Sequence, residues 1–304
     1  MNDKSFVFCL APTRLLLKVT LQKCHGQLIP ATSMNSSNTN NAMSPSPNPV
    51  YIVTGASRGY GLAIVKELLL ISPQAHILGT ARSADKLAAV QAELGGADRF
   101  DYVAGDITDE SVAKAIVDKA VARWGRIDGV VHNAGILDPM DHISKIPISF
   151  FRQILDVNVT SVLQLTQLAL PHLRTSPLGL GRLVLISSGA ATNAYHGWTA
   201  YCTSKAALNM LAKCLAVEEP KVVTVALRPG VLDTDMQQHI RDNGKGKLED
   251  GTYEYFVKAH QEGSLVDPHV SGHVAAQLLV KAGKELSGQF VDWKGDEVKE
   301  FQKK

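Results

Sequence analysis

The sequence is poor in cysteine, and its cysteines and histidines show no metal-binding spacing. The 304 residues include four cysteines, Cys9, Cys24, Cys202 and Cys214, which form no CxxC pair, and ten histidines without an HExxH motif. These absences exclude the common zinc motifs, and they predict that the protein holds no metal. The scattered cysteines also indicate a reducing compartment, in which no disulfide supports the fold.

Strong charge and long apolar runs are lacking as well. The formal net charge is +2 at pH 7, the basic residues are spread along the chain, and aromatic residues do not alternate with them. A nucleic-acid partner is therefore not expected. No run approaches the ~20 apolar residues that a membrane-spanning helix needs, so a membrane partner is not expected either.

The beginning of the chain differs in composition from the rest, and residues 1–48 are predicted to form a disordered or targeting-like leader. An apolar and basic opening, in which Asp3 is the only acid, precedes a stretch of Asn, Ser and Pro that offers little to bury. Two interpretations stay open: a mitochondrial presequence, or an over-extended terminus with the true start at Met34 or Met43. Without a presequence, the expected location is the cytoplasm.

From residue 49 onward, short apolar runs alternate with amphipathic helical segments. The runs read VYIVTGA, HILGTAR, FDYVAGD, IDGVVHNAG, RLVLISSGA, VTVALRPG and GQFVDW. Several are unbroken apolar runs, as expected for strands that are buried on both faces of a sheet. The pattern predicts one α/β domain over residues 49–304, a doubly wound Rossmann-type fold whose parallel seven-stranded sheet carries helices on both faces.

A glycine loop follows the first predicted strand. The segment TGASRGYG places Gly55, Gly59 and Gly61 between that strand and the first helix. Glycines there allow a tight turn close to a pyrophosphate, and the helix N-terminus offers N–H groups to it. The spacing is G-x3-G-x-G rather than G-x-G-x-x-G, so a glycine-rich turn without a ligand stays open as an alternative.

Basic residues stand where a dinucleotide fold often has an acid. An acid about 20 residues after the loop commonly binds the ribose 2′-hydroxyl. Here the second predicted strand ends in Arg82, and a second arginine, Arg58, lies inside the glycine loop.

A tyrosine and a lysine form a YxxxK motif at Tyr201 and Lys205. On a helix these two positions share a face, so both side chains can enter one cleft. A free tyrosine has a pKa near ~10, and a nearby ammonium favours the phenolate. We therefore expect Lys205 to lower the pKa of Tyr201. Two unrelated residues on a surface helix are the alternative for this motif taken alone.

Together with the glycine loop, five ordered motifs carry a family resemblance. From Val50 to the C-terminus the chain resembles the short-chain dehydrogenase/reductase family, and most of all its sepiapterin reductase-like and benzil reductase-like members. Asn133 of the NAG motif also has a purely structural interpretation, as a cap of the turn after the fourth strand. The motifs are NAG at 133–135, Asn158 in DVNVTS, Ser188 in LISS, Tyr201 and Lys205 in YCTSK, and RPGVLDT at 228–234.

The resemblance implies the catalytic roles. Tyr201 would donate a proton to a carbonyl oxygen as hydride arrives from the nicotinamide, and Lys205 would hold the nicotinamide ribose. Ser188 would hydrogen-bond the substrate oxygen. Its neighbour Ser187 points to the opposite side of the strand. Asn158 would orient a water that links Lys205 to solvent.

The resemblance also implies NADPH or NADP+ as cofactor. Arg58 and Arg82 would pair with its 2′-phosphate. Asp106 would read the adenine amino group, Ile107 would pack against that ring, and Thr234 would hold the nicotinamide carboxamide. The full predicted cofactor set is Gly55, Ser57, Arg58, Gly59, Tyr60, Gly61, Arg82, Asp106, Ile107, Asn133, Ala134, Gly135, Tyr201, Lys205, Pro229, Gly230, Val231 and Thr234.

Candidate substrate residues flank Tyr201 and Thr234. Tyr195 and Trp198 are candidate walls for a flat or aromatic carbonyl, although packing is an equally good interpretation of both. The DTDM segment with Asp235 and Met236 resembles that of sepiapterin-type reductases, in which an acid anchors the pterin ring. The polar stretch at 239–251 could form a lid.

The sequence therefore predicts an NADPH-dependent carbonyl reductase that acts on a ketone or diketone. An NAD-linked alcohol dehydrogenase and a non-enzymatic nucleotide-sensing regulator of the same fold are the alternatives. A homodimer is also expected. The segments Phe150–Leu173 and Thr199–Val217 read as long helices with more apolar surface than one sheet face can cover, and they resemble the helices that pair in this family.

Overall fold

The computed structural model describes residues 47–303. The predicted leader, apart from its last two residues, lies outside the described residues. Within 47–303, no helix has the length and apolar character that crossing a bilayer would require.

The sheet contains seven parallel strands in the order β3-β2-β1-β4-β5-β6-β7. This confirms the predicted fold class. The order reverses between β1 and β4, which is where doubly wound folds bind ligands, beyond the carboxyl ends of the strands. The strands are β1 (Val50–Thr54), β2 (His76–Ala81), β3 (Phe100–Ala104), β4 (Gly129–His132), β5 (Gly181–Ile186), β6 (Val222–Arg228) and β7 (Phe290–Asp292).

Helices cover both faces of this sheet because alternate strand residues are apolar on both sides. In β1, Tyr51 and Val53 pack in the same cluster as α1 and α9, while Val50 and Ile52 pack with α3 and α5. The α-helices of the described residues are α1 (Gly59–Ile71), α2 (Ala84–Glu93), α3 (Glu110–Trp124), α4 (Ile148–Leu155), α5 (Ser161–Leu173), α6 (Thr199–Glu218), α7 (Asp235–Asn243), α8 (Asp250–Gln261) and α9 (Pro268–Lys281).

The helix expected over Phe150–Leu173 is interrupted. A π-helical turn at Asp156–Thr160 separates α4 from α5. The Asn158 side chain within this turn is buried and bonds to Ile136 and Ser204. Such wide turns often occur at functional sites. Hydrophobic periodicity does not reveal the turn because the apolar stripe continues through it.

The first strand starts at Val50 and is anchored immediately. The Val50 N–H donates to the carboxylate of Asp128 over 2.8 Å, and Asp128 is completely buried. Arg126 donates two further hydrogen bonds of 2.8 and 2.7 Å to the same carboxylate. The amino ends of β1 and β4 are thus joined without any residue before 50.

This anchoring predicts that residues 1–42 are dispensable. A chain that begins at Met43 should melt within a few degrees of the full-length protein and keep its kcat/KM, because β1 is intact. A chain that begins at Val53 is the control and should fail to fold, since the buried half of a central strand is missing. Thermal denaturation of the three chains checks this, and a large loss of stability in the Met43 chain would contradict it.

Candidate active site

A cavity of about 540 Å³ lies at the carboxyl ends of the strands. Its lining includes every predicted cofactor residue, together with Ser188, Tyr195, Trp198, Asp235 and Met236. Asn158 is the one predicted catalytic residue that does not line it, although its neighbour Val157 does. Residues spread over some 180 positions of the sequence therefore meet in one place.

The glycine loop forms one wall of this cavity. A Cβ added at Gly61 would lie 2.2 Å from the carbonyl oxygen of Gly55, so any larger residue there would push the loop apart. Gly55 and Gly59 have φ angles of 70° and 52°, which favour glycine. Among the residues that the structure describes, no side chain caps the N-terminus of α1. A phosphate suits such a helix end, so the loop fits the predicted dinucleotide.

Thr54 and Asn133 connect this loop to the end of β4. The Thr54 hydroxyl accepts hydrogen bonds of 2.9 Å from the main-chain N–H groups of Asn133 and Ala134. The Asn133 amide donates to the Thr54 carbonyl over 2.9 Å. Asn133 thus joins the end of β4 to the end of β1, and its part in cofactor binding stays a prediction. Thr54 was not predicted, and its only signal in the sequence is a hydroxyl at the end of the first strand.

Ser188, Tyr201 and Lys205 converge at the other end of the cavity. Tyr201 and Ser188 both line this end of the cavity, and Ser188 lies near enough to the Tyr201 hydroxyl to lower the pKa of Tyr201. The Lys205 ammonium lies 5.5 Å from the centroid of the Tyr201 ring and donates to the carbonyl of Ile186 over 2.7 Å. The neighbouring Ser187 is buried and donates to Asn209 over 2.7 Å. Of the two serines, Ser188 is therefore the one that meets Tyr201.

Burial controls the ionisation of both catalytic candidates. It raises the pKa of Tyr201 to about 12, although the nearby Ser188 opposes this shift. Burial also lowers the pKa of Lys205 to about 8. The lowered Tyr201 pKa expected from the sequence is therefore not found, because desolvation of the phenolate dominates. At pH 7 Tyr201 carries its proton, and Lys205 is still mostly protonated.

Asn158 supports the site through three hydrogen bonds. Its Oδ1 accepts from the N–H of Ile136 over 2.8 Å, and its amide donates to the Ile136 carbonyl and to Ser204 over 2.9 and 3.0 Å. A Cβ added at Gly135 would lie 3.2 Å from this Oδ1 and 3.7 Å from the Lys205 nitrogen. Asn158 is thus close to Lys205, and its role in orienting a water stays a prediction.

Basic residues line the end of the cavity that faces away from Tyr201. Arg58, Arg82 and Lys86 all belong to its lining. Lys86 was not predicted, although it lies one helical turn beyond Arg82 in the sequence. Arg58 is not free, because its guanidinium forms an ion pair with Asp235. The sequence analysis had assigned Arg58 to the phosphate and had considered Asp235 as a substrate anchor, and it did not foresee their contact.

Asp106 is held in its ionised form. Its Oδ1 accepts from the N–H and the hydroxyl of Thr108 over 2.9 and 2.8 Å. These hydrogen bonds, with a smaller contribution from the charge of Arg82, lower the pKa of Asp106. Ile107, the predicted neighbour of the adenine ring, is nearly buried and lines the cavity beside it.

Aromatic side chains line the cavity near Tyr201. The Trp198 ring lies 5.2 Å from Tyr195, 5.7 Å from Tyr201 and 5.6 Å from Phe256, centroid to centroid. Trp198 is buried and also lines the cavity, so it contributes both to the packing of this aromatic group and to the cavity wall. Gln237 and Ile240 also line the cavity, in the segment after Thr234 that the sequence predicts as pocket lining, whereas Phe256 of α8 carries no motif and was not predicted.

The polar stretch at 239–251 is more ordered than a simple loop. It spans the end of α7 and the beginning of α8. His239 contacts the Asp138 carboxylate over 2.6 Å, and His196 contacts the carbonyl of Lys247 over 3.0 Å. The predicted motion of this segment as a lid stays a prediction. In the part of the chain that the structure describes, no group of three or more His, Cys, Asp or Glu could hold a metal ion.

The glycine loop at the switch point and the Ser-Tyr-Lys group facing it define an oxidoreductase that binds a dinucleotide. The chain belongs to the short chain dehydrogenase family, whose sequence profile matches residues 49–245. Membership in this family implies a nicotinamide cofactor. The resemblance noted from the motifs is thereby confirmed.

Three similar proteins have recorded activities. A benzil reductase ((S)-benzoin forming) of Saccharomyces cerevisiae is 40% identical over 257 residues, which cover 82% of this chain and 97% of that protein. Sepiapterin reductase of Mus musculus is 34% identical over 261 residues, covering 80% and 96%. The structure of a 7 alpha-hydroxysteroid dehydrogenase complexed with NADH and 7-oxo glycochenodeoxycholic acid matches with a TM-score of 0.69 at 27% identity, covering 80% and 92%.

Proposed function

We propose that this protein is an NADPH-dependent carbonyl reductase that acts on a ketone or diketone with a flat or aromatic substituent. The observation that carries this proposal is the convergence of Ser188, Tyr201 and Lys205 at one end of a cavity whose other end is basic. The regulator alternative is disfavoured, because a nucleotide sensor has no use for a buried tyrosine that lies beside a serine and a lysine in the same cavity.

The chain's own residues would handle the oxygen and the proton. A bound reduced nicotinamide supplies the hydride. Tyr201 donates its proton to the carbonyl oxygen, which becomes the hydroxyl of the product. Ser188 hydrogen-bonds the same oxygen and stabilises the charge that develops on it. Lys205 supplies a positive charge near the phenol, which stabilises the tyrosinate left behind.

The protonation state of Tyr201 is the one that carbonyl reduction requires. With its pKa raised to about 12, Tyr201 carries at neutral pH the proton that it would donate. The three bases at the far end of the cavity, Arg58, Arg82 and Lys86, favour a cofactor with an additional phosphate.

The walls of the cavity support a flat substrate. Tyr195, Trp198 and Phe256 form an aromatic group next to Tyr201. Two relatives are named as reductases of benzil and of sepiapterin. We therefore propose the same class of substrate for this protein.

The test is a panel of carbonyl compounds, assayed with NADPH and with NADH. Benzil, sepiapterin, a 7-oxo bile acid and a simple aliphatic ketone separate the substrate classes. We expect turnover of benzil or sepiapterin with NADPH, and much slower turnover of the aliphatic ketone. NAD+ reduction with alcohols, without NADPH oxidation by any ketone, would support the dehydrogenase alternative. No turnover in either direction would support the regulator.

We also propose a homodimer formed through α4, α5 and α6. These helices carry exposed large apolar side chains, which a single subunit leaves in water. A second copy of the chain that packs through the same surface would cover these side chains. The exposed residues are Phe150 (45% exposed), Leu163 (39%), Leu168 (36%), Met210 (58%) and Val217 (83%).

Sedimentation equilibrium at micromolar concentration should therefore give the mass of a dimer. Leu163→Asp should shift the equilibrium towards monomer, because a charge would have to be buried in the interface. The matched control is Leu70→Asp on α1, a more exposed leucine outside the proposed surface. A monomeric wild type, or equal effects of the two variants, would contradict the proposal.

For location, we propose the cytoplasm, or mitochondria if residues 1–48 act as a presequence. A fluorescent protein fused to the C-terminus would distinguish the two.

A further inference from the structure

We propose that Asp235 competes with the 2′-phosphate of NADPH for the guanidinium of Arg58, and so limits how strongly the protein prefers NADPH to NADH. The inference rests on the NADPH dependence proposed above. It starts from the ion pair between Arg58 Nη1 and Asp235 Oδ2. Both residues line the cavity, so the pair lies where the cofactor has to bind.

The pair joins two elements that are far apart in the sequence. Arg58 is the residue before α1, and Asp235 is the first residue of α7. A Cβ added at Gly59 would lie 3.7 Å from the methyl group of Thr234, so the glycine loop and the start of α7 face each other directly. Asp235 is thus placed to reach Arg58 by the fold itself.

The contact can be exchanged easily. The side chains of Arg58 and Asp235 are 59% and 67% exposed, and such exposed ion pairs contribute little to stability. A phosphate dianion carries more charge than a carboxylate and forms bidentate bonds with a guanidinium. NADPH should therefore displace Asp235, whereas the uncharged 2′-hydroxyl of NADH should leave the pair intact.

Asp235 pairs with one of the three basic residues at this end of the cavity. Within the described residues, Arg58 forms an ion pair, while Arg82 and Lys86 form none. Whenever Arg58 is paired with Asp235, it is not available to the phosphate, and the apparent affinity for NADPH falls by the fraction of molecules in that state. The affinity for NADH should not depend on this equilibrium.

A purely structural role of Asp235 makes a different prediction. An acid in the first turn of a helix interacts favourably with the helix dipole. Loss of that interaction would disturb α7, and it would change the binding of NADP+ and NAD+ alike. Direct repulsion between Asp235 and the phosphate differs again, because it would persist without Arg58.

A double-mutant cycle separates these roles without requiring turnover. Dissociation constants of NADP+, NAD+ and adenosine 2′,5′-bisphosphate would be measured by calorimetry for the wild type, Asp235→Asn, Arg58→Ala and the double variant. We expect Asp235→Asn to tighten NADP+ and the bisphosphate about two- to fivefold, the equivalent of an exposed ion pair. NAD+ should bind as before. In the Arg58→Ala background, Asp235→Asn should have no effect.

Each of the other outcomes would contradict a specific part of the proposal. Equal tightening by Asp235→Asn in both backgrounds would replace competition by repulsion, and equal changes for NADP+ and NAD+ would leave only the structural role. No effect of Asp235→Asn, in a wild type that does prefer NADP+, would overturn this inference and leave the proposed cofactor standing. A wild type without that preference would overturn both.

The control is Asp242→Asn, which removes the same charge from an exposed position on the same helix, outside the cavity lining. It should leave all three dissociation constants unchanged. A tightening of NADP+ equal to that of Asp235→Asn would attribute the effect to the net charge of α7 and overturn the inference. The reductase activity itself is tested separately, so a chain that reduces no carbonyl leaves this cycle interpretable.

Discussion

Tyr201→Phe should lower kcat by at least ~10²- to 10⁴-fold, the usual contribution of a positioned proton donor. The change keeps the buried ring and removes the hydroxyl that lies near Ser188. Packing against Trp198 is retained, so the fold and the binding of NADP+ should change little. Steady-state kinetics with the best carbonyl of the panel, together with calorimetric binding of NADP+, measures both effects.

Tyr195→Phe provides the control for this variant. It removes a phenol hydroxyl from the same cavity, at a position outside the Ser-Tyr-Lys group. Its kcat should fall far less than that of Tyr201→Phe. If Tyr201→Phe retained the turnover of the wild type, or if the two variants lost activity equally, Tyr201 would not be the proton donor.

The second large effect concerns cofactor choice, and Arg82→Ala should lower the ratio of kcat/KM for NADPH over that for NADH by roughly 10- to 150-fold. A charge-assisted bond to the 2′-phosphate contributes about 1.5–3 kcal/mol, which corresponds to this range. Arg58→Ala should act in the same direction, less strongly, because its guanidinium has to leave Asp235 first. The two losses should not simply add.

Arg99→Ala is the control, since Arg99 is exposed and lies outside the cavity lining. Its NADPH to NADH ratio should equal that of the wild type. Equal use of the two cofactors by the wild type would contradict the assignment of both arginines. So would alanine variants at positions 58 and 82 that keep the full preference for NADPH.

Local sequence was sufficient for the strands and for most of the site. Parallel strands buried on both faces favour apolar runs, and each of the seven runs overlaps an observed strand, with β5 and β6 starting one residue before their runs. Glycines with positive φ and a tight approach leave little choice of residue, so Gly55, Gly59 and Gly61 were readable. The motifs also carried the family, because their order and spacing are properties of the chain itself.

Phe256, which no motif indicates, has no such local constraint. It forms part of the wall near Trp198 because α8 folds over the cavity, and its neighbours in sequence do not indicate this. The π-helical turn around Asn158 likewise depends on the distant partners Ile136 and Ser204.

The sequence by itself thus determined the α/β class, the dinucleotide loop and the identity of the Ser-Tyr-Lys group. Only the tertiary structure decided how those groups ionise and pair. Tyr201 has a raised pKa because its surroundings exclude water, which depends on the packing of Trp198 and other residues from distant segments. Arg58 meets Asp235 because the loop before α1 and the start of α7 lie against each other, although 177 positions separate the two residues. Desolvation and electrostatic pairing depend on distance in space, and a local pattern in the chain does not contain that distance.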